Sequence, residues 1–301
     1  MSKGMIAFPI TPMDADGRVD AQTFRRLLRR LVEAQVDGVC VLCSTGSYPY
    51  LARDERRRAL DIAATELGGR IPLSAGVGAL RTDHAVACAQ DAAQAGATLG
   101  LLAPVSYTPL TDGEVFTHFE TVAAQGGLPL CIYDNPAATH FAISDALLGR
   151  LAAIPNVVAV KAAAPPPHEA AARIATLRAL TSPDFSIGFA VDWNAAAALT
   201  AGADAWYSVL GGLFPAPVME IRRAAAAGDA EEATHLTAAL EPMWALMRKH
   251  SGLRVIYAAA EADGLCLTQP PRPFLPLDAD AKAEVAAVLA SLRPRLEAQL
   301  A

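Results

Sequence analysis

The 301-residue sequence has no apolar run of the roughly 18 to 20 residues that a bilayer-spanning helix requires, and it has no strongly basic stretch. The first absence argues against a membrane span. The second, together with a net charge of -6 and arginines interleaved with acidic residues, leaves no patch to hold nucleic acid by its phosphates. The opening "MSKGMIAFPITPMD" lacks the charged region, apolar core and cleavage site of a secretory leader, so a cytoplasmic location is the expectation. Six histidines show no HxH, HExxH or Cys/His cluster, and no metal site is expected. The five cysteines are an odd set lying mostly in apolar segments, which predicts thiols and no disulfide framework. Even the CxxC of Cys40 and Cys43 lies in "GVCVLCS", which reads as a buried strand where cysteine packs as a small hydrophobe.

What is present is an alternation of short apolar runs with amphipathic stretches of ten or more residues. The runs are "GMIAFPI", "DGVCVLCS", "IPLSAGVG", "LGLLAP", "LPLCIYDNP", "NVVAVK", "FSIGFAV" and "AWYSV", each approached through Gly or Pro punctuation or a polar break. In "DAQTFRRLLRRLVEA", Phe24, Leu27, Leu28 and Leu31 keep one helical face, and comparable helices follow the other runs. Eight β/α units in about 225 residues are near the usual size of a closed barrel. An open doubly wound sheet would carry a glycine-rich phosphate fingerprint after its first strand, and none is there. Beyond that, "DAEEATHLTAALEPMWALMRKH", "LRVIYAAAEADG" and "DADAKAEVAAVLASLRPRLEAQL" read as helices without strands. The expectation is an α/β fold, a (β/α)8 TIM barrel over residues 1–227, with a C-terminal helical extension over 228–301.

Catalytic groups in such barrels stand at the C-terminal ends of strands. Lysine is scarce, four against 21 arginines, and Lys161, closing the sixth run, is the only lysine inside an apolar strand. Burial disfavours an ammonium, and the neutral amine is a nucleophile toward carbonyls, a role arginine cannot fill. The alternative is an amine that snorkels to the barrel rim or pairs with Asp134 or Asp192. Tyr133, in "YDNP", ends the adjacent strand, either as a proton shuttle for an imine-forming lysine or as a rim tyrosine with a satisfied hydroxyl. "CSTGS", residues 43–47, is either a nest of N–H groups for a 2-oxo acid carboxylate or a plain β-to-α turn.

Together these segments resemble the dihydrodipicolinate synthase/N-acetylneuraminate lyase family, pyruvate-type class I aldolases and lyases on a (β/α)8 barrel with a C-terminal helical extension. "PITPMDADGRVD" is similar to that family's opening strand and turn, "CSTGS" stands where its GTTGE motif stands, "YDNP" matches YxxP, and "VVAVK" carries its Schiff-base lysine. The resemblance implies that Lys161 forms the imine, that Tyr133 shuttles protons, and that Ser44 relays them where the family has threonine. It further implies that Thr45 and Gly46 hold the substrate carboxylate, with Ser47 beside them in place of a glutamate. Tyr107, in "VSYTPLT", resembles the tyrosine lent to a neighbouring subunit, or it is structural in its own chain. The implied partners are a 2-oxo acid and an aldehyde, with no metal or organic cofactor. The implied assembly is a homo-oligomer of tight dimers paired into tetramers.

The departures concern the second substrate. True dihydrodipicolinate synthases carry, after YxxP, an arginine for the aldehyde's carboxylate, and here Ala138 stands at that place. "KAAAPPP" replaces a polar segment, and "AVD", residues 190–192, stands near a segment that touches the acceptor in the family. His140, Trp193, Trp206 and Tyr207 would line this altered half or pack in the core, and Gly211 and Gly212 would admit a ligand or form a turn. The expected activity is a 2-oxo acid aldolase other than the biosynthetic dihydrodipicolinate synthase. The alternatives are dehydration of a hydroxy 2-oxo acid at the same imine and a non-catalytic 2-oxo acid sensor barrel.

Overall fold

The computed structural model describes residues 3–296. Strands β1 (Gly4–Ala7), β2 (Gly38–Val41), β3 (Leu73–Gly76), β4 (Leu99–Leu102), β5 (Leu130–Tyr133), β6 (Val157–Ala163), β7 (Ser186–Ala190) and β8 (Ala205–Ser208) close in chain order into one parallel barrel. This is the expected (β/α)8 TIM barrel. Its outer layer is α1 (Ala21–Glu33), α2 (Arg53–Leu67), α3 (Thr82–Gln94), α4 (Asp112–Gln125), the single turn α5 (Pro136–Thr139), α6 (Asp145–Ala152), α7 (Ala170–Leu180), α8 (Asp192–Thr200) and α9 (Pro215–Ala226). The C-terminal helices are α10 (Ala230–Ala239), α11 (Glu241–His250), α12 (Gly252–Ala262) and α13 (Ala279–Leu296).

Parallel strands with helices outside and side chains inside are buried on both faces, which is why they read as continuous apolar runs. Along β6, Ala159 and Lys161 face the barrel interior, while Val160 and Ala162 pack outward under the helices. The interior also holds Phe8, Cys40, Cys43, Leu101, Cys131, Tyr133 and Tyr207. Helix α1 buries Phe24, Leu27, Leu28 and Leu31, and Asp20 caps it by accepting from the Gln22 and Thr23 N–H groups.

Two boundaries differ from the sequence reading. Lys161 does not end its strand, because β6 pairs with β7 for two further residues, through Ala163. The stretch 229–250 is two helices meeting at Leu240, where Pro242 in the first turn of α11 has no N–H to continue α10. Helix α10 packs on α8 and α9, and the extension is tied to the barrel by Thr268, which bonds both the N–H and the carbonyl of Met13 at 2.9 and 2.6 Å. No helix among the described residues is long and apolar enough to cross a membrane.

Candidate active site

The register of the sheet places Tyr133 of β5, Lys161 of β6 and Gly188 of β7 side by side. Lys161 is 5% exposed, with Nζ 3.8 Å from the centroid of the Tyr133 ring, 5.4 Å from that of Phe8 and 6.0 Å from that of Tyr207. Among the described residues it makes no ion pair, so neither Asp134 nor Asp192 neutralises it. Asp134 touches it only through the main chain, its N–H donating to the Lys161 carbonyl at 2.9 Å. Asp192 is occupied elsewhere, accepting from Trp206 Nε1 at 2.9 Å and from the Leu210 N–H at 2.8 Å. Burial pushes both carboxyls above the usual carboxylate range.

The Tyr133 hydroxyl meets Ser44 Oγ at 2.8 Å and receives a hydrogen bond from Asn135 Nδ2 at 3.1 Å. Ser44 follows β2 in a tight turn that Gly46 makes feasible, since a Cβ at Gly46 would lie 2.9 Å from the Leu42 nitrogen and 3.1 Å from Thr11 Oγ1. Thr45 is buried in the same turn. Ser47 is fully buried and its hydroxyl is spent on the Tyr257 hydroxyl of α12 at 3.3 Å, because a buried phenol needs a partner. That side chain is thus held against the C-terminal helix α12.

Tyr107 lies on the loop between β4 and α4 and is 97% exposed, so it takes no part in the pocket of its own chain. Ala138 is exposed on α5, two residues beyond Pro136, and His140 is an exposed left-handed cap on the same turn. Trp206 packs in the core, whereas Trp193 is half-buried beneath the Arg248 guanidinium at 5.3 Å. Gly211 and Gly212 serve packing, since a Cβ at Gly212 would overlap the Phe8 carbonyl. The sulfurs of Cys40 and Cys43 stand 3.4 Å apart in the interior, and burial pushes the Cys40 thiol up and that of Cys131 to about 12. Cys40 and Cys131 are thus protonated packing groups, not thiolates.

A family profile described as the dihydrodipicolinate synthetase family matches residues 1–292. The chain belongs to this family. Among curated relatives, 4-hydroxy-tetrahydrodipicolinate synthase of Stenotrophomonas maltophilia is 34% identical over 239 residues, 79% of each chain. Among solved structures, dihydrodipicolinate synthase from Agrobacterium tumefaciens is 52% identical with a TM-score of 0.94, covering 96% of this chain and 98% of its own. The enzyme from Acinetobacter baumannii, solved complexed with pyruvate, is 27% identical with a TM-score of 0.88, covering 96% and 98%.

As a member of the dihydrodipicolinate synthetase family the chain is a lyase of the aldolase type. Three residues of its pocket escaped the sequence reading. Phe8 ends up beside the amine because β1 closes the barrel against β8. Gly188 is required because a Cβ there would come within 2.4 Å of the Tyr207 ring, and the lone glycine within "FSIGFAV" was the available signal. Asn135 lay within the quoted "YDNP", but nothing local shows which way its side chain turns.

Proposed function

We propose that Lys161 forms a Schiff base with pyruvate or a related 2-oxo acid, and that the protonated imine serves as the electron sink for making or breaking a C–C bond. The reading is carried by Lys161 Nζ standing 3.8 Å over the Tyr133 ring while the Tyr133 hydroxyl bonds Ser44 at 2.8 Å. A nucleophilic amine and a proton relay are thus within one side chain of each other. The amine attacks the ketone in its neutral form, and Tyr133, backed by Ser44, delivers the proton that lets the carbinolamine hydroxyl leave as water. Thr45 and Gly46 hold the carboxylate of the oxo acid. The imine then accepts the electrons of a breaking bond and releases an aldehyde, or forms an enamine that attacks one, without a cofactor. The pyruvate complex of the Acinetobacter baumannii relative supports this choice of oxo acid.

The second substrate is an aldehyde without its own carboxylate, in contrast to that of the true synthase. Exposed side chains beyond Tyr133 and Lys161 include Ala138, Ala163, Pro166 and Pro167, which offer methyl and ring surface and no charge. Tyr107, exposed in its own chain, is proposed to serve the pocket of a second copy in a homo-oligomer. The test is incubation with pyruvate and borohydride followed by peptide mapping. The expected result is a pyruvate-derived mass on the peptide carrying Lys161. Absence of that mass with pyruvate and a panel of longer 2-oxo acids would falsify the imine. An adduct with no aldehyde consumed or released, in a panel of neutral and carboxylated aldehydes, would leave a binding barrel in place of a lyase.

A further inference from the structure

Asn135 occupies the capping position of α5, where an asparagine side chain commonly accepts from the first N–H groups of the helix. It makes no such bond. Its main chain starts the turn instead, the carbonyl accepting from the Ala138 and Thr139 N–H groups at 2.9 and 3.0 Å and from Thr139 Oγ1 at 3.1 Å. Pro136, at the first helical position, has no N–H to satisfy. The side chain turns back two residues, and its Nδ2 donates to the Tyr133 phenol oxygen at 3.1 Å.

An amide N–H can only donate, and a phenol has a single hydrogen. With Asn135 on one lone pair, the hydrogen of Tyr133 points away from Asn135, toward the side where Ser44 Oγ stands at 2.8 Å and either hydroxyl can donate to the other. We infer that Asn135 is a positioning residue for Tyr133, orienting the phenol hydrogen toward the relay and holding the oxygen once that proton has left. The inference rests on the imine reading of Lys161. In the dehydration step the Tyr133 O–H bond breaks and its proton joins the carbinolamine hydroxyl. The C–O bond then breaks to release water as the nitrogen lone pair forms the C=N bond of the protonated imine. The phenolate left behind keeps the hydrogen bond from Asn135, accepts one from the Ser44 hydroxyl, and recovers its proton from solvent water through Ser44. Hydrogen bonds to a charged oxygen are about twice as strong as those to a neutral one, so the donation from Asn135 is worth most after the proton has moved.

The experiment measures the rate of imine trapping with pyruvate and cyanoborohydride in the full-length protein. Asn135→Leu keeps the shape and removes the donor, and its rate is expected to fall about tenfold to hundredfold with half-saturating pyruvate changed less than about twofold. In a Tyr133→Phe background the same substitution is expected to have no further effect. Asn135→Asp can donate only when protonated, so its rate relative to the unsubstituted protein is expected to rise as pH falls below about 5. A merely structural asparagine would give a ratio independent of pH. That flat ratio, an Asn135→Leu rate within twofold of the unsubstituted protein, or an undiminished Asn135→Leu effect in the Tyr133→Phe background would each overturn the inference. Failure of the unsubstituted protein to trap pyruvate at Lys161 would instead remove the imine reading on which it rests.

Discussion

The C-terminal part of β6 and the start of α8 each bury an ionisable side chain at the same pole of the barrel, and the two differ in how that side chain is partnered. Lys161, 5% exposed, has aromatic faces around its amine and no ion pair among the described residues. Asp192, 3% exposed, has both oxygens occupied, by the Trp206 indole and the Leu210 N–H, with the Ser208 hydroxyl alongside. Burial alone therefore does not mark a reactive group. The saturated carboxyl fastens the end of β8 to the start of α8, while the amine makes no ion pair among the described residues, as the proposed imine role requires.

Substituting the two residues should separate chemistry from stability. Lys161→Met is expected to abolish the trapped adduct and lower turnover by more than about 10⁴-fold. Its stability should be unchanged or higher by about 1 kcal/mol in urea unfolding, because an apolar chain replaces an unpaired polar head in the interior. A trapped mass at any other residue of this variant would break the contrast. Asp192→Ala should do the reverse, costing about 2 to 4 kcal/mol in the same unfolding measurement by stranding buried donors on Trp206 and Leu210. Trapping per folded molecule should stay within a few-fold.

The pH dependence of stability sharpens the same comparison. Burial raises the Asp192 carboxyl above its ordinary value of 3.8 in the folded state. Its contribution is therefore fully present below that value and is lost as pH rises through the higher folded pKa. Asp134 is raised for the same reason and adds a loss of the same sign. Urea midpoints of Asp192→Ala measured across acid to neutral pH should fall less steeply than those of the unsubstituted protein, with Asp134 contributing to the remaining slope. Equal slopes would mean that Asp192 titrates alike in both states.

The smallest effect concerns the acceptor side of the mouth. Ala138→Arg places a cation on the exposed turn α5 and should lower KM about tenfold for an aldehyde that carries a carboxylate. Imine trapping with pyruvate should be unchanged. No gain for carboxylated over neutral aldehydes would show that position 138 does not face the acceptor.

Much of this organisation is legible along the chain, for reasons that are local. A strand buried on both faces is an apolar run, and glycine, proline and capping residues mark its ends. The eight strands could therefore be counted. Lys161 stood out because a scarce residue type interrupts such a run. That Ser47 meets Tyr257 was not legible, because the two lie 210 residues apart along the chain. Asp192 was offered as an ion-pair partner of Lys161 because nothing local reveals that the Trp206 indole reaches it.

The sequence by itself determined the period of the fold, the number of strands and the presence of one amine inside an apolar strand, all properties of residues within a few positions of one another. Only the tertiary structure decided that Tyr133 faces Lys161. Between β5 and β6 the register shifts at Leu130 and Cys131, and past that irregularity Tyr133 pairs with Lys161. Because side chains alternate between the two faces of a strand, a slip of one residue there would have turned the phenol or the amine out of the barrel. The Ser44 hydroxyl, 89 residues before Tyr133, reaches the phenol only because closing the barrel brings the ends of β2 and β5 across the same interior.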